Sequence, residues 1–133
     1  MSKRAIRTAQ DFRDFFRAFS RQDWEATVSY LHDDCVWDAS ERRMQGIGAI
    51  MDYWQKDHSS IRETLGSPEN IVFGKGMAYL QVLIKLKFIA DGTYMGKPYA
   101  KGRVVEVPCV DVYTFAQDNT IKECRVYTKF RQG

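Results

Sequence analysis

The hydrophobic period of this chain changes halfway along it, from helical to strict alternation, and that switch narrows the folds open to it. In the first half Phe12, Phe15, Phe16 and Phe19 recur at i, i+3, i+4 and i+7, with Arg13, Asp14 and Arg17 on the other side. This is the stripe of an amphipathic helix, and Thr8 stands where its N-cap belongs. Asp23 can cap a second short helix carrying Trp24, Val28 and Leu31, which makes an αα-hairpin. A short strand is expected over 35–38, followed by a polar turn through Arg42 and Arg43. Gly46 then precedes a third helix whose apolar face is Ile47, Ile50, Met51, Trp54 and Ile61, with His58 on the same stripe and Tyr53 beside it. Gly66, Ser67 and Pro68 end that helix.

Beyond this point Leu80, Val82, Ile84, Leu86 and Phe88 alternate with Gln81, Leu83, Lys85 and Lys87, the pattern of a long strand with one buried face. A shorter strand is expected over 70–73. Asp91 and Gly92 open a long loop or hairpin tip reaching Gly102, and two further strands follow over 104–115 and 120–130, joined at Gln117, Asp118 and Asn119. Helices followed by an antiparallel run predict an α+β fold, a strongly curved sheet with about three helices packed on its concave side. Such a cone encloses a pocket. At 133 residues the chain is expected to form one domain over 1–133.

Two aspartates then stand out. Asp38 and Asp111 each lie in an apolar stretch whose alternation is expected to aim them inward, where an unpartnered carboxylate costs several kcal/mol or has its pKa driven upward. Two carboxyls around one apolar pocket repel when both ionise, so one can stay protonated and the pair can supply a base and an acid. Asp111 also reads as a structural carboxyl hydrogen-bonded inside the cone, and Asp38 as a strand-end residue satisfied by backbone.

Composition excludes other classes. A net charge of +3 with basic residues at both termini comes without an RNA-binding aromatic motif, zinc-finger spacing or basic helix. Nucleic acid is not an expected partner. No apolar run has the length of a membrane span and the start lacks an apolar signal-peptide core, so a cytoplasmic protein without a membrane partner is expected. Cys35, Cys109 and Cys124 are odd in number and lack ligand spacing, which predicts reduced thiols. His32, Asp33 and Asp34 are ligand types, but three adjacent side chains rarely converge, and no metal is expected. Without a glycine-rich phosphate loop or dinucleotide fingerprint, no cofactor is expected either.

The segments Arg17-Ala18-Phe19 through Asp23-Trp24, Leu31-His32-Asp33-Asp34-Cys35-Val36-Trp37-Asp38, Gly46-Ile47-Gly48-Ala49-Ile50 and Val110-Asp111-Val112-Tyr113-Thr114-Phe115 together resemble the NTF2-like superfamily, particularly its SnoaL-like and ketosteroid-isomerase-like enzymes. The likeness spans about residues 12–130. It implies a cone-shaped α+β domain, usually a homodimer through the outer sheet face, with an apolar cavity that carries acid/base groups in the enzymes. In that resemblance Asp38 falls on the proton-shuttling aspartate of ketosteroid-isomerase-like members and Asp111 on a protonated aspartate that donates to an oxyanion.

The departures are specific. The helix-one tyrosine of the steroid isomerases falls on Phe15, and the proline that commonly follows the base is Ala39. Tyr113 lies two residues after Asp111 on the same strand face, so its hydroxyl can replace the missing donor, with Tyr53 and Tyr30 as further candidates from the helices. The arginine and last-strand aspartate of limonene-epoxide-hydrolase-like members fall on Cys109 and Val126, and Val126 also takes the place of the SnoaL-like base. His58 could serve in a scytalone-dehydratase-like arrangement.

Two function classes remain. The first is a cofactor-independent enzyme that isomerises, cyclises or dehydrates a small apolar polyketide-, terpene- or alkaloid-like molecule, with Asp38, Asp111 and Tyr113 as its catalytic groups. Phe15, Trp37, Met51, Tyr53, Trp54, His58, Leu80, Val82, Cys109, Cys124 and Val126 would then line the substrate site. The second is a ligand-binding or protein-interaction module without chemistry.

Overall fold

The computed structural model describes residues 2–57 and 59–129. His58, named above, and the last residue of the strand expected over 120–130 lie outside the described residues. Helix α1 (Ala9–Ser20) begins at Thr8, whose hydroxyl accepts from Asp11 N–H while the Asp11 carboxylate accepts from Thr8 N–H, a reciprocal capping box. Its four phenylalanines are almost fully buried. Helix α2 (Trp24–Val28) is capped by Asp23.

Strand β1 (Leu31–Ala39) starts at Leu31, which the helical reading had placed on the second helix, and runs through the acidic residues that separate the two. The residues read as a polar turn form strand β2 (Arg42–Gln45). Gly46, at φ +89°, makes the sharp entry into α3 (Ile47–Asp52), a conformation that side-chain-bearing residues rarely adopt. Helix α3 is shorter than its apolar stripe predicts and widens into a π-helical turn (Tyr53–Asp57). Ile61, expected on the helix, instead opens strand β3 (Ile61–Leu65). Its backbone pairing with the long strand over 77–88 decides that assignment: a five-residue ladder outcompetes a helical turn whose stripe is already interrupted.

Strands β4 (Glu69–Gly74), β5 (Met77–Phe88), β8 (Val104–Phe115) and β9 (Ile121–Thr128) follow, and a small hairpin of β6 (Gly92–Tyr94) and β7 (Lys97–Tyr99) forms the tip between β5 and β8. The sheet order is β2-β1-β9-β8-β5-β3, with β4 also paired to β5. Only the β1–β9 pairing is parallel among those described. Register shifts in the β1–β9, β4–β5 and β8–β9 pairs mark bulges, which bend and twist a sheet. Alternation along β5 buries Leu80, Val82, Leu86 and Phe88 on the inner face and leaves Gln81, Leu83 and Lys85 outside. The α1 phenylalanines close over that inner face, with Phe12 4.9 Å from the Tyr113 ring. Among the described residues no helix is long and apolar enough to cross a membrane.

Candidate active site

Between the helices and the inner sheet face lies a narrow cavity with about 50 Å³ for the centres of water-sized spheres. That is room for a few waters. Its apolar wall comes from α1 (Phe15, Phe19), β1 (Trp37, Ala39) and the π-helical turn (Tyr53, Trp54), together with Ile84, Leu86 and Val126 from the sheet. Trp37 and Trp54 meet edge to face at 5.2 Å, and Phe19 meets Trp54 at 5.2 Å in the same way. The widened turn sets the adjacent Tyr53 and Trp54 both against the cavity.

Asp111 projects from the middle of β8 into this wall with 5% of its surface exposed. Its Oδ2 accepts from the Tyr113 hydroxyl at 2.8 Å, while Oδ1 is buried without a hydrogen-bond partner among the described residues. Burial drives its pKa up to about 7 against the lowering effect of the Tyr113 bond, and the negative charge of Glu63 adds to the rise. Burial likewise lifts the Tyr113 phenol far above its ordinary value, helped by the charge of Asp111. Tyr113 therefore stays a neutral donor while Asp111 is divided between acid and base near neutral pH.

Asp38 is not part of this arrangement. On β1 it is Cys35 and Trp37 that are buried inward, so the half-buried Asp38 faces the opposite side, in register with Arg43 on β2 and Arg125 on β9. The expectation that Asp38 and Asp111 share one cavity is corrected by this phase. Val36 and Trp37 are both apolar, and a strand's side chains alternate strictly, so a shift of one residue exchanges the faces. Phe15, Trp37, Tyr53, Trp54 and Val126 line the cavity as the sequence predicts. Leu80 and Val82 are sealed in the core beside it, and Ile84 and Leu86 take their place on the wall. Met51 packs against the core outside the lining. Cys109 and Cys124 are buried thiols behind the site, Cys109 pushed up to about 12 by burial. Tyr30 is buried against Phe15 rather than at the cavity.

Three titratable side chains on the cavity wall were not legible in the sequence: Glu41, Glu63 and Tyr94. Tyr53 donates its hydroxyl to Glu41 Oε1. Burial raises the Tyr53 and Tyr94 phenols above their ordinary range, and Glu41 and Glu63 raise both further. The alternation of Ile61, Glu63 and Leu65 carried the signal for Glu63, hidden by the helical reading of that segment. Tyr94 sits on the hairpin tip and had no periodicity to reveal it. Among the described residues no group of three or more His, Cys, Asp or Glu is arranged to hold a metal ion. Asp33 of the acidic run instead pairs with Lys3 at 2.8 Å.

A curled sheet closed by helices over a cavity holding a buried carboxyl defines the cone-shaped NTF2-like class of α+β proteins. The model of the SnoaL-like domain matches residues 12–124, and the chain belongs to that family. A candidate polyketide cyclase from Xanthomonas campestris pv. campestris superposes with a TM-score of 0.76 at 22% identity, covering 91% of this chain and 90% of that one. The epoxide hydrolase/cyclase-like enzyme SalBIII, described for pyran ring formation in the polyether salinomycin, gives 0.73 at 16% identity, with 92% and 91% covered. An epoxide hydrolase of Mycobacterium tuberculosis resembling limonene epoxide hydrolase gives 0.70 at 14% identity, with 91% and 81% covered. These likenesses show the fold. No curated protein matches the chain by sequence.

Proposed function

We propose that the chain is a cofactor-independent enzyme that moves a proton on a small, largely apolar molecule, in the manner of an isomerase, cyclase or dehydratase. The observation that carries this reading is the buried Asp111 carboxyl on the cavity wall, one oxygen held by Tyr113 and the other without a partner among the described residues. A structural carboxyl would be expected to have both oxygens satisfied, because an unpaired buried acceptor costs about 1–3 kcal/mol. A substrate hydroxyl, carbonyl or acidic C–H brought to Oδ1 meets a group able to give or take a proton near pH 7. Tyr113 is a positioning residue in this scheme. Its hydroxyl is engaged with Oδ2, orients the carboxyl and offsets part of the cost of ionising it. The cyclase and epoxide hydrolase descriptions of the structural neighbours are consistent with this class of chemistry, and family membership supports it.

We also propose the homodimer that the family resemblance implies. Tyr79, Leu83, Val110 and Tyr127 are exposed large apolar residues on the outer face of β5, β8 and β9.

The enzymatic reading is tested by incubating the protein in D2O with a panel of small ketones and 1,3-dicarbonyls and following hydrogen exchange next to the carbonyl by NMR. Catalysed exchange on at least one member, lost in Asp111→Asn, is expected. Exchange unaffected by that substitution would overturn the assignment of Asp111.

A further inference from the structure

Beside the hairpin tip, the outer face of the sheet ends in a row of positive charge. Arg62 on β3 and Lys87 on β5 stand directly opposite each other in register, with Val104 of β8 next across. All three are exposed, while Ile61, Leu86 and Phe88 beside them in the chain are buried on the inner face. Like charges set opposite one another on neighbouring strands repel, at a cost to the sheet. Val104 continues into a shallow groove of about 510 Å³ that also takes Lys97 from β7, Arg103 from just before β8 and Lys129 from just beyond β9. Among the described residues none of these five cations is in an ion pair. The acids nearby are engaged: Glu106 pairs with Lys85 at 4.0 Å, and Asp91 Oδ1 accepts from the Lys101 N–H at 2.8 Å. For a chain whose net charge is only +3, this is a concentration of charge rather than an even coat.

The cations reach across four neighbouring strands, β3, β5, β8 and β9, about 14 Å at the usual strand spacing. That is too wide to close on one phosphate or carboxylate. Apolar surface lies among them: Val104 and Ile89 are each about half exposed, and Pro108 lines the groove. Tyr99, the one aromatic residue of the groove, is buried, stacked on Phe88 at 4.9 Å, and the Lys97 ammonium stands over its ring at 5.7 Å. It offers no open face on which a nucleic-acid base could stack. Apolar contacts ringed by charge are the anatomy of a protein interface. We propose that this end of the outer sheet face docks an acidic segment of another protein, with carboxylates against Arg62, Lys87, Arg103 and Lys129 and an apolar side chain against Val104 and Pro108. The patch begins where the apolar residues of the proposed dimer face end, Leu83 being followed on that face by Lys85 and Lys87. The proposal is independent of the reading of the cavity.

The test titrates the isotope-labelled full chain at low salt with an acetylated peptide of repeating Glu-Glu-Leu triplets, its Gln-Gln-Leu counterpart and an oligothymidylate, following backbone amide signals by NMR. Saturable shifts with the acidic peptide are expected, centred on Arg62, Lys87, Arg103 and Val104, weakening as salt is raised because the charges are exposed. The glutamine peptide should give none. Lys87→Glu and Arg103→Glu should each weaken acidic-peptide binding by at least about threefold, whereas Arg13→Glu, the same charge change on an exposed position of α1, should leave it in place. No saturable shift with the acidic peptide would overturn the proposal, as would equal binding of the glutamine peptide, shifts centred elsewhere, or an Arg13→Glu effect as large as that at Lys87. Tighter binding of the oligothymidylate at the same residues would also overturn it, in favour of nucleic acid. The comparison of the three probes on the wild-type protein stands even where a variant fails to fold.

Discussion

Tyr113 donates its hydroxyl to Oδ2 of Asp111 at 2.8 Å from two residues along the same strand, so one acid and its orienting donor are fixed by strand geometry alone. In a strand, residues i and i+2 share a face. The pair thus needs no loop to bring it together, and both members are buried under the α1 phenylalanines. Their relationship also determines how the site responds to substitution and pH.

Asp111→Asn should remove proton transfer while keeping the shape of the wall. Turnover of the true substrate, or the exchange reaction described above, is expected to fall by about 10²–10⁴-fold, with ligand binding retained. Steady-state kinetics paired with NMR titration measures both.

The same substitution should change the pH dependence of stability in a definite direction. Asp111 titrates near pH 7 in the fold, against an ordinary value of 3.8, so the folded protein binds the extra proton. Its contribution therefore falls as pH rises from about 4 to about 7 and is constant above that. Over that range the loss is roughly 4 kcal/mol. Urea unfolding of wild type and Asp111→Asn between pH 4.5 and 8 isolates this group: the asparagine variant is expected to gain on the wild type as pH rises and to be the more stable at pH 8. A difference independent of pH would contradict the buried, protonated carboxyl.

Tyr113→Phe removes the bond that lowers the Asp111 pKa and leaves Oδ2 without its donor. The basic form of Asp111 should then appear only at higher pH, displacing the corresponding limb of the pH–rate profile upward. Stability should fall by about 1–3 kcal/mol. A rate loss with an unmoved profile would mean that Tyr113 acts on the substrate directly.

Asp38→Asn should leave turnover within about twofold, because Asp38 faces away from the cavity between Arg43 and Arg125. A loss comparable to that of Asp111→Asn, in a folded variant, would return Asp38 to the mechanism.

Val110→Asp places a charge among the exposed apolar residues of the outer sheet face, between Gln81 and Tyr127 in register. If the proposed homodimer uses that face, native mass spectrometry should show the dimer lost and the monomer folded. A dimer of undiminished stability would place the interface elsewhere.

Much of the fold was legible because the chain signals its elements by periodicity. The Phe12-to-Phe19 stripe located α1 and the alternation around Leu80 located β5, since both periods are imposed by burial of one face. The segment from Ile47 to Ile61 was harder to read, because its spacing continues across the π-helical turn into β3 without a strong breaker until Gly66. At the site, Asp111 and Tyr113 were legible because β8 is long and paired on both sides. Asp38 was misread because both neighbouring phases of β1 are apolar.

By itself, then, the sequence determined the first helix, the long strands that follow in the second half, and one inward-facing aspartate with a tyrosine beside it, since these follow from local periodicity and from strand alternation. Only the tertiary structure decided that Asp38 turns outward and that Glu41, Glu63 and Tyr94, from the β1–β2 turn, β3 and the hairpin tip respectively, converge on the same cavity. The phase of a short strand and the meeting of side chains from separate elements depend on sheet register and curvature, which no local pattern of residues encodes.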